Sequence, residues 1–346
     1  MIMTMPQQSI RQLLAQASAR LQPSSATPRL DAELLLAHVL GWPRARLLAE
    51  GTHTPDVAQV AAYEALVERR ANLEPVAYLT GEREFYGLLF HVDGRVLVPR
   101  PETELLIDVA LSIIHRRDTH IHHKGTKGTK DSFAEDPTRL RVDSKNLGAL
   151  SVLGGETLTI ADIGTGSGAI AVALALHVPQ AQVYATDISA EALAVALANV
   201  ARHGLHQRVT LLHGDLCEAL PKPVDLLVSN PPYTVLAEVD EGVRRHEPHL
   251  ALDGGEPQGI ALYRRLLGQA PRYLRPGGAV VLEIGSWQGE TVLALARESF
   301  PGAEVTLHRD IAGHDRVIAV QAPARSNASR KQGDGASLVH AGDDGG

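Results

Sequence analysis

Leu158-Thr159-Ile160-Ala161-Asp162-Ile163-Gly164-Thr165-Gly166-Ser167-Gly168 sets the architecture of this 346-residue chain. A short, mostly apolar strand runs straight into a glycine-rich turn, and Ala169 to His177 continues as a helix. Such a turn lets backbone approach a ligand closely, and the helix N-terminus behind it favours negative charge. The next strand, Gln182 to Asp187, ends in an acid about 20 residues beyond the glycines, the spacing of a carboxylate that accepts hydrogen bonds from both ribose hydroxyls. A strand-end acid facing solvent would read the same way in isolation. Gly166-Ser167-Gly168-Ala169-Ile170-Ala171 also fits the GxGxxA fingerprint, so the pair fits adenosine-ribose binding and leaves the cofactor open, a nicotinamide dinucleotide included.

Strands and helices keep alternating downstream, which points to an α/β fold with a mainly parallel sheet. A helix over Ala190 to His203 leads to a strand over Val209 to His213, which ends in Gly214-Asp215-Leu216. Asp215 there is within reach of an adenine amino group, although an ordinary Gly-Asp turn explains it equally well. Val224 to Ser229 is a fourth strand, and it delivers Asn230-Pro231-Pro232-Tyr233. Two consecutive prolines forbid both a continued ladder and an immediate helix, so the backbone leaves the strand in a stiff, extended turn. In open α/β sheets the carboxyl edge of the strands is where ligands bind. The pattern then gives a helix over Tyr263 to Leu274, a turn at Pro276-Gly277-Gly278 and a strand over Ala279 to Ile284. A helix over Gln288 to Ser299 and strands over Glu304 to Arg309 and Arg316 to Gln321 complete a catalytic domain spanning 157–321. The small, polar residues 322–346 read as a disordered tail.

Upstream, residues 1–80 read as a separate helical domain. Ile10, Leu13, Leu14, Ala17 and Leu21 recur at helical spacing behind a Ser9 N-cap, and Asp31 to Leu40 repeats the pattern until Gly41. Arg44 to Glu50 and Val57 to Ala71 follow as helices. Residues 81–98 are expected to form a β-hairpin connector, with Glu84 to Val92 and Arg95 to Val98 flanking an Asp93-Gly94 turn. Pro99-Arg100-Pro101-Glu102-Thr103-Glu104 opens a helix that reaches His115, so that 99–115 leads into the catalytic domain, and its acids suit a helix N-terminus. Residues 116–156 read as a flexible insertion, because Lys124-Gly125-Thr126-Lys127-Gly128-Thr129-Lys130 has no face to bury. His115, His120, His122 and His123 lack the Cys or carboxylate pattern that organises a metal site, so no metal is expected.

Composition bounds the partners. A net charge of −7 argues against a broad electrostatic grip on nucleic acid, and 4% aromatic residues give little material for base stacking. There is no run of about 18 apolar residues, Met1 to Gln8 lacks the regions of a signal peptide, and Cys217 is the sole cysteine. A cytoplasmic monomer that neither spans a membrane nor binds nucleic acid directly is the expectation.

The strand ends then define a chemistry. A nicotinamide enzyme needs a catalytic acid or base beside the hydride acceptor, and Asn230-Pro231-Pro232-Tyr233 supplies none. N-methyl transfer from S-adenosylmethionine (AdoMet) needs a neutral nitrogen held in line with a methyl sulfonium. The Asn230 side-chain oxygen and the Pro231 carbonyl can each accept one N–H of an NH₂ group, while Tyr233 packs against the planar group.

The chain resembles the bacterial release factor glutamine methyltransferases, the PrmC/HemK family, over about residues 5–115 and 157–321. The resemblance rests on Arg83-Glu84-Phe85-Tyr86-Gly87, on Val98 to Glu104, on Asp162 to Gly168 and on Asn230 to Tyr233. It continues through Val243-Arg244-Arg245-His246-Glu247-Pro248, Ala251-Leu252-Asp253-Gly254-Gly255 and Asp310 to Arg316. The tetrapeptide is shared with DNA adenine methyltransferases; its combination with the Pro99 to Glu104 and Ala251 to Gly255 segments is specific. The resemblance implies a class I AdoMet-dependent methyltransferase with a Rossmann-like seven-stranded sheet, and a substrate glutamine in the Gly-Gly-Gln motif of class I peptide release factors. It implies AdoMet contacts at Gly164, Thr165, Gly166, Ser167, Gly168, Asp187, Asp215, Leu216 and Asn230. It also implies that Asn230, Pro231 and Tyr233 are catalytic, that Asn230 to Tyr233 seat the glutamine, and that the helical domain clasps the release factor. The family's usual pattern is shorter where this chain has 116–156, and some members carry an aromatic residue where this chain has Leu216. Adenine-N6 methylation of nucleic acid and a non-catalytic AdoMet-binding module remain the alternatives.

Overall fold

The computed structural model describes residues 8–122, 157–255 and 258–324. Its centre is a seven-stranded sheet in the order β5-β4-β3-β6-β7-β9-β8. The strands are β3 (Thr159–Ile163), β4 (Gln182–Asp187), β5 (Val209–His213), β6 (Val224–Ser229), β7 (Leu274–Glu283), β8 (Glu304–Arg309) and β9 (Asp315–Gln321). The β3, β4, β5, β6 and β7 ladders are parallel, and β9 runs antiparallel to both β7 and β8. All five residues of β3 are buried, as expected of a strand covered on both faces.

Helices α6 (Glu104–His122), α7 (Ala169–His177) and α8 (Ala190–Arg202) contribute to the core on one face, whereas α10 (Ala261–Tyr273) and α11 (Gly289–Ser299) cover the other. The strand order reverses between β3 and β6, whose carboxyl ends carry the glycine-rich turn and Asn230. That reversal opens the crevice in which a doubly wound sheet holds its ligand.

The N-terminal helices α1 (Ile10–Leu21), α2 (Pro28–Leu40), α3 (Arg44–Ala49), α4 (Val57–Ala71) and α5 (Val76–Thr80) close over a core of their own. Ser9 and Gln12 cap α1 reciprocally, and Gly41 ends α2 at a φ of 64°. The short α5 is absent from the sequence reading, because five residues cannot show a helical period.

The hairpin lies elsewhere than the Asp93-Gly94 signal suggested. Strands β1 (Glu82–Phe85) and β2 (Leu88–His91) pair around Tyr86-Gly87, both at positive φ (53° and 72°). Two positive φ values give the turn a twist that matches the flanking strands. The turn's amides are taken by acids: Glu104 accepts from Tyr86 N–H at 3.0 Å and Glu84 from Gly87 N–H at 2.7 Å. Asp93 instead folds back on Arg95, accepting from its backbone and guanidinium, so Arg95 to Val98 forms no strand. Phe85, Phe90, Val92 and Val96 insert into the catalytic core, which anchors the connector. A second boundary also moves: α6 continues to His122, past His115 and into the stretch read as an insertion. Residues 123–156, including His123 and the Lys124 to Lys130 repeat, lie outside the described residues, as do 325–346 of the expected tail.

Strand β7 begins at Leu274, not Ala279. Between Val224 and Leu226 of β6 the register jumps from Leu274 to Ala279, so the Pro276-Gly277-Gly278 turn is absorbed as a bulge. Among the described residues no helix is long and apolar enough to cross a membrane.

Candidate active site

The carboxyl ends of β3, β4, β5 and β6 converge on a cavity of about 230 Å³. Gly164, Thr165, Gly166 and Ser167 form its floor with Asp187 and Ile188, and Asp215 and Leu216 line another side. Asn230 and Pro232 reach it from the end of β6, while Val96, Pro99, Arg100 and Thr103 enter from the connector. Most of the sequence-selected residues are therefore brought together. Gly168, Pro231 and Tyr233 are not part of the lining.

Each wall has a local cause. Gly164 and Gly166 adopt φ values of 71° and 55°, and a Cβ added at either would meet nothing within 4 Å. Their missing side chains thus leave open space above the turn, room for a ligand to approach the backbone. Gly168 answers to a different constraint: at a φ of 80°, its added Cβ would sit 3.3 Å from the Cβ of Ala196 on α8. Its lack of a side chain lets the start of α7 approach α8 closely. Asp187 accepts from Gly166 N–H at 2.8 Å and from Ser189 N–H at 2.9 Å, which ties the end of β4 to the turn. Burial pushes its pKa up against these bonds. Its oxygens retain lone pairs for further donors. Asp215 forms an ion pair with Arg265 on α10, and both line the cavity. Leu216 holds a φ of 50°, and its carbonyl accepts from Thr186 Oγ1 at 3.1 Å.

The turn is fixed from below by Asp162, fully buried in β3. One carboxylate oxygen accepts from Thr165 Oγ1 at 2.6 Å and from Ala171 N–H at 3.1 Å, while Oδ1 has no protein partner. Burial lifts its pKa to about 7. Glu283, fully buried at the end of β7, is likewise lifted to about 7 by burial. A carboxylate whose folded pKa exceeds its unfolded value adds stability that is present at low pH and lost as pH rises through the folded pKa. His308, whose pKa is pulled down by burial, opposes this below its ordinary range. With two large carboxylate shifts against one histidine, the melting temperature should be higher at about pH 5.5 than at about pH 8, and Asp162→Asn should flatten the difference. A wild-type melting temperature that is flat across that interval, or higher at its basic end, would refute the assignment.

The Asn230 to Tyr233 turn is gripped at several points. Asn230 Nδ2 donates to Thr103 Oγ1 at 3.1 Å, and the Tyr233 hydroxyl donates to Glu283 Oε1 at 3.3 Å. Gln288 Nε2 donates to the Tyr233 carbonyl at 3.1 Å. Thr234 exchanges backbone hydrogen bonds with the Ala251 to Gly255 segment, donating to the Leu252 carbonyl at 3.0 Å and accepting from Gly254 N–H at 2.9 Å. The Tyr233 ring lies edge-on to Trp287 with centroids 6.2 Å apart. Its hydroxyl thus bonds Glu283 and its ring contacts Trp287, whereas the cavity wall here is formed by Asn230 and Pro232.

Arg100 acquires a reason as well. Its guanidinium pairs with the buried Glu247 carboxylate at 2.5 Å, and the other oxygen of Glu247 accepts from Val98 N–H at 3.1 Å. The Pro99 to Glu104 and Val243 to Pro248 segments, far apart in sequence, are thereby clamped together at one edge of the cavity. Asn199, wholly buried on α8, accepts from His91 N–H and donates to the His91 and Ser167 carbonyls, which joins hairpin, helix and glycine-rich turn.

Sequence reasoning missed Thr103, Glu247, Glu283 and Gln288. Glu283 carried a signal: it is the lone acid in Ala279-Val280-Val281-Leu282-Glu283-Ile284, where burial on both faces should exclude it. The others had no local pattern, because the contacts that bring them to the site are distant in sequence: Asn230 lies 127 residues from Thr103, Arg100 147 from Glu247 and Tyr233 55 from Gln288. Among the described residues no group of His, Cys, Asp and Glu is arranged to hold a metal.

The chemistry of this lining fits AdoMet: it offers open space above Gly164 and Gly166, acceptor lone pairs on Asp187 suited to hydroxyl donors, and apolar walls at Val96, Ile188, Leu216 and Leu250 suited to a flat ring.

Comparisons with known proteins agree with this arrangement. Residues 12–81 match the PrmC N-terminal domain, and residues 142–246 match the methyltransferase small domain. The chain is 35% identical over 337 residues to a bifunctional methyltransferase of Rickettsia felis, covering 96% of this chain but 61% of that protein. It thus spans about three-fifths of that relative's length. It is 40% identical to the release factor glutamine methyltransferase of Moorella thermoacetica, covering 90% of this chain and 97% of that protein. With that of Bordetella pertussis it shares 42% identity over 84% of this chain and 93% of the other. The fold is that of a class I AdoMet-dependent methyltransferase with an N-terminal helical subdomain, and the chain belongs to the PrmC/HemK family of release factor glutamine methyltransferases.

Proposed function

We propose that this protein methylates the side-chain amide nitrogen (N5) of the glutamine in the Gly-Gly-Gln motif of class I peptide release factors. The observation that carries the reading is Asn230. Its Nδ2 is engaged by Thr103, so its Oδ1 is left to accept an N–H at the edge of the cavity. AdoMet, when bound, supplies an electrophilic methyl group on a sulfonium. The chain's own contribution is to hold the nucleophile: Asn230 Oδ1 and the Pro231 carbonyl each accept one N–H of the planar amide. Both acceptors grow more favourable as positive charge develops on the nitrogen, which is where catalysis gains. No covalent intermediate is needed. The helical domain of α1 to α5 holds the release factor, and the protein works as a cytoplasmic monomer without direct contact to nucleic acid.

Incubation with methyl-labelled AdoMet and, separately, a purified class I release factor, its glutamine-to-alanine variant and DNA tests the reading. Label is expected on the wild-type factor alone. Label on DNA would favour adenine-N6 methylation, label surviving the glutamine substitution would move the acceptor elsewhere, and no label anywhere would leave a binding module.

A further inference from the structure

Helix α10 carries Leu262, Arg265 and Gln269 at intervals of three and four residues, so all three lie on one face. Leu262 and Arg265 line the cavity, and Gln269 reaches the turn that follows β5. That turn runs through Gly214 and Asp215 into a single turn of 3-10 helix over Leu216–Ala219. It is tight: a Cβ on Gly214 would come within 2.7 Å of the Ala219 Cβ.

The backbone here is held in place from two elements. Leu216 has a φ of 50°, in the left-handed region that a residue other than glycine keeps only where its surroundings over-determine it. The peptide group joining Leu216 to Cys217 is fixed at both ends. Its carbonyl accepts from Thr186 Oγ1 of β4 at 3.1 Å, and its N–H donates to Gln269 Oε1 of α10 at 3.1 Å. Turning this peptide group over would break both bonds at once. Cys217 is fully buried, so without Gln269 the N–H would lose its partner where water has little access. Gln269 Nε2 in turn donates to Glu218 Oε1 at 3.4 Å, which sets the direction of its amide.

Arg265 acts at the residue before Leu216. Its guanidinium engages Asp215 Oδ2 and leaves Oδ1 with lone pairs for a further donor. Both side chains are well exposed, so the pair adds little to stability. Its consequence is orientation, because it restrains a rim carboxylate that is otherwise free to turn toward water. This edge of the cavity thus sets a carboxylate oxygen beside the apolar Leu216 and Leu262. Such an edge suits a flat ring that carries an N–H donor and disfavours one with an oxygen at the same position. We infer that Gln269 and Arg265 are positioning residues for the cofactor: Gln269 fixes the peptide after Leu216, Arg265 aims Asp215, and together they make this edge select the amino-bearing adenine of AdoMet. The inference rests on AdoMet as the cofactor and is independent of the group that is methylated.

S-adenosylhomocysteine and its 6-oxo counterpart, S-inosylhomocysteine, are titrated calorimetrically into the intact chain without any methyl acceptor. The wild type is expected to bind the adenosyl compound at least about tenfold more tightly, the usual contribution of a hydrogen bond to a charged group. Arg265→Met and Gln269→Leu should each lower that preference by about three- to tenfold, and Arg265→Lys, which keeps a cation, should retain most of it. Asp215→Ala should abolish the preference, and adding Arg265→Met to it should change nothing further, because Arg265 acts through Asp215. A merely structural role would weaken both ligands by the same factor, since the ratio of the two affinities does not depend on how much of the protein is folded. A wild type that does not distinguish the two ligands would overturn the inference. A ratio within about twofold of wild type in either single variant would remove that residue from the role, and a further loss in the double variant would place Arg265 on the ring itself.

Discussion

Asn230→Ala is expected to lower kcat by on the order of 10²–10³-fold, the usual cost of deleting one preorganised hydrogen-bonding group that acts on transition-state charge. AdoMet affinity should stay within about tenfold, or about 1.4 kcal/mol, because only one residue of the cavity wall is shortened. The separation follows from the position of Asn230. It directly follows the last residue of β6, its NH₂ is spent on Thr103, and its oxygen is the remaining polar atom that the side chain offers. On the proposed mechanism, removing the amide takes away an acceptor whose interaction with the substrate nitrogen is stronger in the transition state than in the ground state. The fold should tolerate the change, since Asn230 is only partly buried and the prolines that shape the turn remain. Single-turnover methyl transfer and calorimetric AdoMet titration make the comparison. Near-wild-type turnover would remove Asn230 from the chemistry, and a parallel collapse of AdoMet binding would make it a cofactor residue instead.

How far the site was legible depended on the range of the interactions. The glycine-rich turn, Asp187 and the Asn230 to Tyr233 turn are local events at strand ends, and a parallel sheet brings strand ends together by its construction. Their convergence on one cavity could therefore be read without coordinates. The hairpin could not be placed as easily. Asp93-Gly94 carries the commoner turn signal, but Tyr86-Gly87 has two acids, Glu84 and Glu104, to take its amides, and Glu104 lies 18 residues away. Long-range satisfaction of backbone donors outweighed local propensity. Arg100 shows the same limit. Its position between two prolines is visible in sequence, whereas its partner Glu247 is 147 residues distant. The β7 bulge was hidden because Pro276-Gly277-Gly278 reads as a turn, and only the pairing of Leu274 with Val224 keeps the strand continuous through it.

Gly259→Ala should damage the site more than any neighbouring glycine substitution. Gly259 holds a φ of 68°, and a Cβ there would lie 2.1 Å from the Tyr233 carbonyl oxygen and 2.7 Å from its carbon. Both are backbone atoms, so no side chain can swing aside; the tetrapeptide itself must move. The turn is boxed in on the other side as well. Gln288 Nε2 donates to the Tyr233 carbonyl, and also to the Gln258 carbonyl at 2.5 Å. Gly254 presses from behind, since a Cβ there would come within 2.4 Å of the Gly259 carbonyl oxygen. Displacing Tyr233 by about an ångström pulls on both Asn230 and the Glu283 bond, and misplacement of that size costs catalysis about 10²-fold. Gly302→Ala is the control. Gly302 has a similar φ of 78°, but a Cβ there meets nothing within 4 Å, so it carries the left-handed backbone cost alone, about 1 kcal/mol. Gly259→Ala should lose about 3 kcal/mol or more, because overpacking against fixed backbone adds to that cost. Chemical denaturation and kcat are measured on both variants. Equal losses in the two would mean that the contact with Tyr233 relaxes without consequence, and that the Ala251 to Gly255 segment and its continuation do not set the position of the tetrapeptide.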